Sequence, residues 1–375
     1  MRSIMTTVIA VFVLAAVFSA SAVKGQEARI MAGVYMGDGA SMACVVETYE
    51  ALRIDPAIVP SLVSPTDIYT GGLDGLDVLI FPGGSGSKEN LSMGSGSHNM
   101  VREFVVEKGK GVVGICAGGY LVSSSEGYPC LGLIEVGTVD REHDVRGSAV
   151  CRVSFTKKGL EIFPEMEGLE YGYIQYHDGP VFVPPSDSGY DACDELAVNE
   201  SDVHQTGPAG ITPGKSFLLC QEAGKGRVFA CAGHPESTVG MRWMVPRMVR
   251  WVARRDIVPY PPNVVRPGYG TVEIMHSDEH ETDLFWKLFD PEPQARMNAV
   301  SELMKGRYRN GFRWAAGMIR DESPEVRAFA AEILAGAEYT ASIDDIEAVI
   351  DEEKDNACRM RLQKALAELK AMVAD

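Results

Sequence analysis

Three short segments carry residue types that would act together on a carbonyl group. Gly114-Ile115-Cys116-Ala117-Gly118-Gly119 sets one cysteine among small residues. A sharp strand-to-helix turn needs small neighbours, because it leaves no room for bulk, and it exposes its central side chain. The free N–H groups and positive dipole end of the following helix favour a thiolate there. Gly233-His234-Pro235-Glu236 offers a base for that thiol, and Glu236, two residues on, would hold the imidazole in the correct tautomer. Phe81-Pro82-Gly83-Gly84 ends in glycines whose backbone N–H groups can approach a bound carbonyl. The N–H groups of Gly84 and Ala117 are thus the expected oxyanion donors. Taken singly, each segment also reads as an ordinary turn or helix cap. Taken together, Cys116, His234 and Glu236 are the candidate catalytic residues.

Each segment follows a short apolar run suited to a buried strand. Ile30 to Tyr35, Asp77 to Phe81 and Gly111 to Ile115 alternate with helical patterns at Ala40 to Leu52, Asn99 to Lys108 and Ala117 to Ser124. That alternation predicts βαβ units and a parallel sheet. The middle differs. Ser148 to Phe155, Tyr171 to Tyr176 and Glu195 to Asn199 read as strands between Gly, Pro and Asp turns. Ser216 to Gln221 and Arg227 to Ala232 flank a hairpin turn, and Thr238 to Arg254 reads as a closing amphipathic helix. The expectation is an α/β domain with a mixed, mostly parallel sheet. The turn Gly37-Asp38-Gly39-Ala40 would open the first helix at the sheet's carboxyl edge, where ligands bind in such folds. Tyr35, Gly37 and Gly39 would then line a pocket, with Tyr176, His177 and Asp178 adding polar groups. The rival reading is a plain βα turn capped by Asp38 or Ser41.

These segments carry a resemblance. The set Phe81-Pro82-Gly83-Gly84, Gly114 to Gly119 and Gly226 to Glu236, with Val34 to Gly39, resembles the class I glutamine amidotransferase-like superfamily. Within it, the match is to the domain at the N-terminus of eukaryotic-type biotin–protein ligases. Tyr176-His177-Asp178-Gly179 is similar to that family's Tyr-x-x-Gly segment, with Pro180 where a second glycine is usual. The resemblance spans about Arg29 to Arg255 and implies a flavodoxin-like fold, with helices on both faces of the sheet and a Cys–His–Glu triad. No biotin-ligase catalytic domain follows, and no acceptor domain for ammonia, so biotinylation is not expected. Relatives with peptidase or chaperone roles carry His directly after the elbow cysteine, where Ala117 stands here.

The chain has 375 residues, comfortable for two domains, and a formal net charge of -17. That charge argues against nucleic acid as partner. Arg2, the apolar stretch Ile4 to Phe18 and Ala20-Ser21-Ala22 together predict a signal peptide over 1–22 and an exported (periplasmic or secreted) protein. An uncleaved anchor is the rival, but the apolar run is shorter than the ~20 residues of a spanning helix. No further membrane span is expected. Eight cysteines without a C-x-x-C spacing, and scattered histidines, predict neither a metal nor another cofactor. Cys44 sits in an apolar helical pattern and reads as a small core residue. Residues 256–285, with Pro259, Pro261, Pro262 and Pro267, read as a linker. Residues 286–375 read as a small all-α region. Asp290 to Arg296 aligns with Asp321 to Arg327 at a shift of 31, a HEAT-like pattern with a third, degenerate copy at Cys358 to Leu369. An irregular bundle is the alternative. Two functions follow. One is an exported thiol hydrolase or amidase acting on a small amide or peptide-like ligand. The other is a non-catalytic binding module, with the C-terminal helices docking a protein partner.

Overall fold

The computed structural model describes residues 28–188 and 193–374. The expected signal segment 1–22 therefore lies outside the described residues. Among those described, ten strands form one mixed sheet. They are β1 (Ile30–Tyr35), β2 (Ile58–Val63), β3 (Val78–Phe81), β4 (Gly111–Ile115), β5 (Ser148–Phe155), β6 (Gly172–His177), β7 (Cys193–Asn199), β8 (Lys215–Ala223), β9 (Gly226–Cys231) and β10 (Ile274–Met275).

The strands β2-β1-β3-β4-β9 are all parallel. Counting β9 as the fifth parallel strand, this is the 2-1-3-4-5 order of a flavodoxin-like sheet. The chain moves outward in opposite directions from β1 to β2 and from β3 to β4. Right-handed crossovers therefore put their helices on opposite faces. The helix Met42–Leu52 packs on β1, β2 and the closing helix Met244–Val252, while Gly86–Val106 packs with Ala117–Val122. β3 and β4 are buried at every position, so they are continuous apolar runs rather than alternating ones. Beyond β9 the sheet turns antiparallel through β8, β7 and β5, and both β6 and β10 pair with β5.

Two strands lie where the sequence patterns do not point. β2 contains Pro60 and Ser61, a composition that argues against a strand interior. It is tolerated because β2 is the sheet's edge. β10 is only two residues long and falls in the stretch read as linker. That stretch is not a free tether. Tyr260 bonds Asp55 at 2.9 Å, and Asp55 also takes the buried Arg250 at 3.0 Å. The helix Asp278–Lys287 starts inside it, capped by Ser277 and with three acidic residues in its first turn. The helical region thus begins near Ser277, not at residue 286.

From there the described residues form three successive helix pairs: Asp278–Lys287 with Pro293–Lys305, Arg309–Met318 with Pro324–Gly336, and Ile343–Glu352 with Asn356–Lys370. They share a second hydrophobic core, from Leu284 to Leu369. An arginine ladder fixes their repetition. Arg296 donates to its own turn at Asp290 O (2.8 Å) and across to Asp321 (2.6 Å). One copy later, Arg327 donates to Asp321 O (2.7 Å) and across to Glu353 (2.7 and 2.8 Å). Arg359 repeats the first contact on Glu353 O.

Burial alone would raise the Glu353 carboxyl. The Asp355 amide, the Cys358 thiol and Arg327 outweigh burial and hold it down at about 2. A depressed folded-state value stabilises the fold above the ordinary carboxylate range and is lost as pH falls toward 2. Glu353→Gln is therefore expected to lower stability at pH 7 by about 2 kcal/mol. In urea unfolding the gap between the two proteins should close as the pH is lowered from 5 to 2.5.

Candidate functional site

β4 delivers Cys116 to the carboxyl edge of the sheet in an uncommon backbone conformation. Its φ is 51° and its ψ -105°, outside the regions a non-glycine residue ordinarily adopts. Such a conformation persists only where the surroundings enforce it. Here the Cys116 amide donates to Cys231 O at 2.9 Å, the last residue of β9. The Gly118 amide donates to Pro82 O at 3.1 Å, just past β3. A Cβ on Gly118 would stand 2.1 Å from Phe81 O, so only glycine lets the elbow press on β3. The elbow is thus tied to the two strand ends that carry the other segments.

His234 follows β9, and its amide donates to Gln175 O of β6 at 2.7 Å. The ring is buried at 1% exposure. Nδ1 lies 2.6 Å from Glu236 Oε1, while Nε2 has no hydrogen-bond partner among the described residues. With the proton assigned to Nδ1 by its carboxylate partner, Nε2 keeps an open lone pair. Burial pushes His234 well below its ordinary value, and the Arg309 charge pushes it the same way. Burial raises Glu236 to about 7 against the pull of Arg309. The imidazole is accordingly neutral at neutral pH. Gly83 borders it closely, since a Cβ there would meet His234 Cε1 at 2.6 Å and Cys44 Sγ at 2.9 Å.

Cys116 is itself buried, and its Sγ donates to His177 O at 3.4 Å. Burial raises its thiol well above the ordinary value, with Cys44 adding to the effect and Arg309 opposing it. A hydrogen bond donated by the thiol favours the neutral form further. The resting residue is a thiol, not a thiolate. The helix N-terminus expected to favour ionisation is outweighed. All eight cysteines are free.

The helical repeats supply groups to the same site. Arg309 donates to Cys44 Sγ at 3.3 Å and to Ser237 Oγ at 3.0 Å, and lies 3.9 Å from both Glu236 and Glu47. Arg313 holds Glu47 bidentately at 2.7 and 2.9 Å, and Ser237 also donates to Glu47. Burial would weaken the Arg309 charge. Cys44, Glu47 and Glu236 together raise its affinity for the proton instead.

Cys44, His234 and Glu236 bring ligating atoms within 4.8 Å of one another. Their donors are already engaged. Nδ1 and Oε1 share a hydrogen bond at 2.6 Å, and the Cys44 sulfur faces a guanidinium. A metal ion there would sit against that fixed cation, so the set reads as a hydrogen-bonded network.

A cavity of about 490 Å³ opens onto these residues. Its walls include Cys116, His234, Gly84, Ala117 and His177 of the expected site, together with Cys44. Neither Gly84 nor Ala117 donates its amide to another backbone carbonyl among the described residues. The helical region contributes Asp278, Glu281, Arg309, Asn310 and Arg313 to the lining. Four residues expected to line a pocket lie elsewhere. Tyr35 is fully buried and bonds Ser92 at 2.5 Å. Gly37 packs on the Tyr35 hydroxyl and Pro65, and Gly39 abuts the Glu89 backbone. Tyr176 is buried with its hydroxyl on Gly179 O at 2.7 Å. Tyr35 and Tyr176 face the interior, and the two half-buried glycines pack on their neighbours, so none of the four lines the cavity.

The sequence reads Cys44 only as a small core residue and does not single out Glu47, Arg309 or Arg313; the structure places Cys44, buried, at the cavity as well. Two signals were nevertheless present. Glu47 is a carboxylate between the apolar residues Val46 and Tyr49 of a helical pattern, and buried carboxylates need partners. Arg309 and Arg313 lie one helical turn apart.

No protein-family model and no curated protein matches the chain. Among solved structures it has likeness to a beta-galactosidase from Bacillus circulans sp. alkalophilus, with 14% identity and a TM-score of 0.37. The likeness covers 60% of this chain and 31% of that one. It also has likeness to the exo-beta-1,4-mannosidase Op5Man5 from Opitutaceae bacterium strain TAV5, with 10% identity and a TM-score of 0.33, over 60% and 34% of the two chains. The chain thus spans about a third of either enzyme. Likeness of this degree says nothing about activity.

The placement of Arg309 makes a measurable claim. Its charge lowers the affinity of His234 for a proton. In Arg309→Met the His234 ring should titrate at higher pH than in the wild type, read from the Cε1–H signal by NMR. In the wild type that signal should still report a neutral ring at pH 6.5.

Proposed function

We propose that the chain is a thiol-dependent hydrolase of small amides, built on a class I glutamine amidotransferase-like domain. One observation carries this reading. His234 holds Glu236 through Nδ1 and leaves Nε2 unpartnered, in a cavity that Cys116 also lines. This is the division of labour of a nucleophile–base–orienter triad.

In the proposed reaction, His234 Nε2 takes the Cys116 proton as the sulfur attacks the amide carbon. The resting thiol at His177 O is ionised only at that moment, so no standing thiolate is needed. The amides of Gly84 and Ala117 receive the developing oxyanion. The imidazolium returns its proton to the leaving nitrogen, releasing ammonia or an amine and leaving a thioester on Cys116. Water, deprotonated by His234, then splits the thioester to give the carboxylic acid and restore the thiol. Glu236 and Arg309 keep the imidazole oriented. The resemblance to the biotin–protein ligase N-terminal domain and the export signal belong to the same proposal, which places the reaction outside the cytoplasm.

A second reading, a binding module without turnover, has its own support. Cys116 is buried, neutral and hydrogen-bonded to a carbonyl, a resting state that an inert pocket would share. A panel of primary amides and dipeptides, assayed for released ammonia or amine, separates the two. Hydrolysis is expected with the wild type, none with Cys116→Ala, and a loss of about 10²–10⁴-fold with His234→Ala. Equal rates in wild type and Cys116→Ala would reject the thiol mechanism.

A further inference from the structure

The charge of the cavity wall points to the kind of amide that enters, an inference resting on the reading just given. Four carboxylates line the cavity: Asp144, Asp178, Asp278 and Glu281. None of them forms an ion pair with a lysine or arginine among the described residues. Asp178 accepts from the Gly147 amide at 2.7 Å, with His177 at 3.7 Å, and Glu281 accepts from Asn310 at 3.0 Å. The two arginines on the same wall form their ion pairs with other carboxylates. Arg313 is taken bidentately by Glu47, and Arg309 lies among Cys44, Ser237, Glu47 and Glu236. The charges of Arg309 and Arg313 therefore offset Glu47 and Glu236, and the four lining carboxylates are left over.

Asp278 and Glu281 sharpen the point. They lie three residues apart, on one face of the first-turn region of the helix Asp278–Lys287, and both border the cavity. Like charges at that spacing repel. Burial raises the Glu281 carboxyl and Asp278 adds to it, against the Asn310 hydrogen bond and the charges of Arg313 and Arg309. A cation placed between the two groups would relieve that repulsion. The α/β domain's share of the lining holds a polar atom with no partner among the described residues, His234 Nε2, on a ring 1% exposed. One side of the cavity therefore asks for a group to share a proton with, and the other asks for a positive charge. Its volume, about 490 Å³, is that of a small-molecule site.

We infer that the cavity binds a small amide bearing a cationic amino or guanidinium group, with the amide at Cys116 and His234 and the cation against Asp278 and Glu281. The helical region thereby selects the substrate, and the α/β domain carries the chemistry.

A charge series tests this. The probes are 6-aminohexanamide, hexanamide and adipic monoamide, which present a cation, no charge and an anion on chains of similar length. Binding is measured by calorimetry to full-length Cys116→Ala, so the outcome does not depend on turnover. The cationic amide is expected to bind about 10-fold more tightly than hexanamide, and the anionic one more weakly than either. The advantage should shrink at high salt. It should vanish in Asp278→Asn/Glu281→Gln placed in the same background, with hexanamide affinity unchanged as the check that the cavity remains folded. Equal affinity for the cationic and neutral amides would overturn the inference, and so would a preference for the anion. So would calcium ion that binds the wall and leaves the amide affinities undistinguished. Hydrolysis of the same series by the wild type is scored separately. Selective binding without ammonia release would retain the cationic ligand and reject the hydrolase.

Discussion

A guanidinium set between two domains, its side chain only 11% exposed, organises this molecule. Arg309 comes from the helical repeats, yet its contacts, Cys44, Ser237, Glu47 and Glu236, all belong to the α/β domain. A charge out of water is tolerated only where opposite charges and hydrogen bonds surround it. The converse holds for Glu47 and Glu236, which are buried and would be uncompensated without the arginines. Further bonds follow the same seam, from Glu338 to the Gly240 amide at 3.1 Å and to Arg266 at 2.8 Å. The two hydrophobic cores are separate, but their polar contact is continuous with the site. The proposed chemistry and the domain docking therefore share residues.

The sheet determines what that guanidinium meets. The pairing of β4 with β9 sets Ile115 opposite Cys231, so the residues that follow, Cys116 and His234, leave the sheet at one edge. The pairing of β3 with β4 sets Phe81 opposite Gly114, which brings Pro82-Gly83-Gly84 to the same place. β6 contributes carbonyls from across the antiparallel part, His177 O to the thiol and Gln175 O to the His234 amide. The site is an outcome of register, and a one-residue slip in any of these pairs would turn the side chains away.

Much of this was legible in the sequence. The parallel strands, the hairpin of β8 and β9, the elbow and the His-x-Glu turn each leave a local mark: an apolar run, a Gly-rich turn, a residue type at a fixed offset. What was missed depends on contacts between distant segments. β2 hides behind Pro60, and β10 is too short for any periodicity. Tyr35, Gly37 and Gly39 sit at the expected edge, yet packing by Ser92, Pro65 and Glu89 closes them off. The role of Arg309 was hidden because its partners lie 72 or more residues away, up to 265 for Cys44. The Asp290–Arg296 and Asp321–Arg327 repeat was visible. Its acid-to-arginine ladder explains why those two positions recur together.

The proposed reaction requires Cys116 and His234 to act as one unit in the shared cavity. Time-resolved intact-mass analysis of the full chain mixed with p-nitrophenyl acetate tests this most directly, with peptide mapping of the adduct. A single acetyl group on Cys116 that forms and then decays by hydrolysis is the expected result. In His234→Ala both steps should slow by about 10²-fold or more. Acetylation spread over several cysteines, or a Cys116 adduct whose rates are unchanged by His234→Ala, would contradict it.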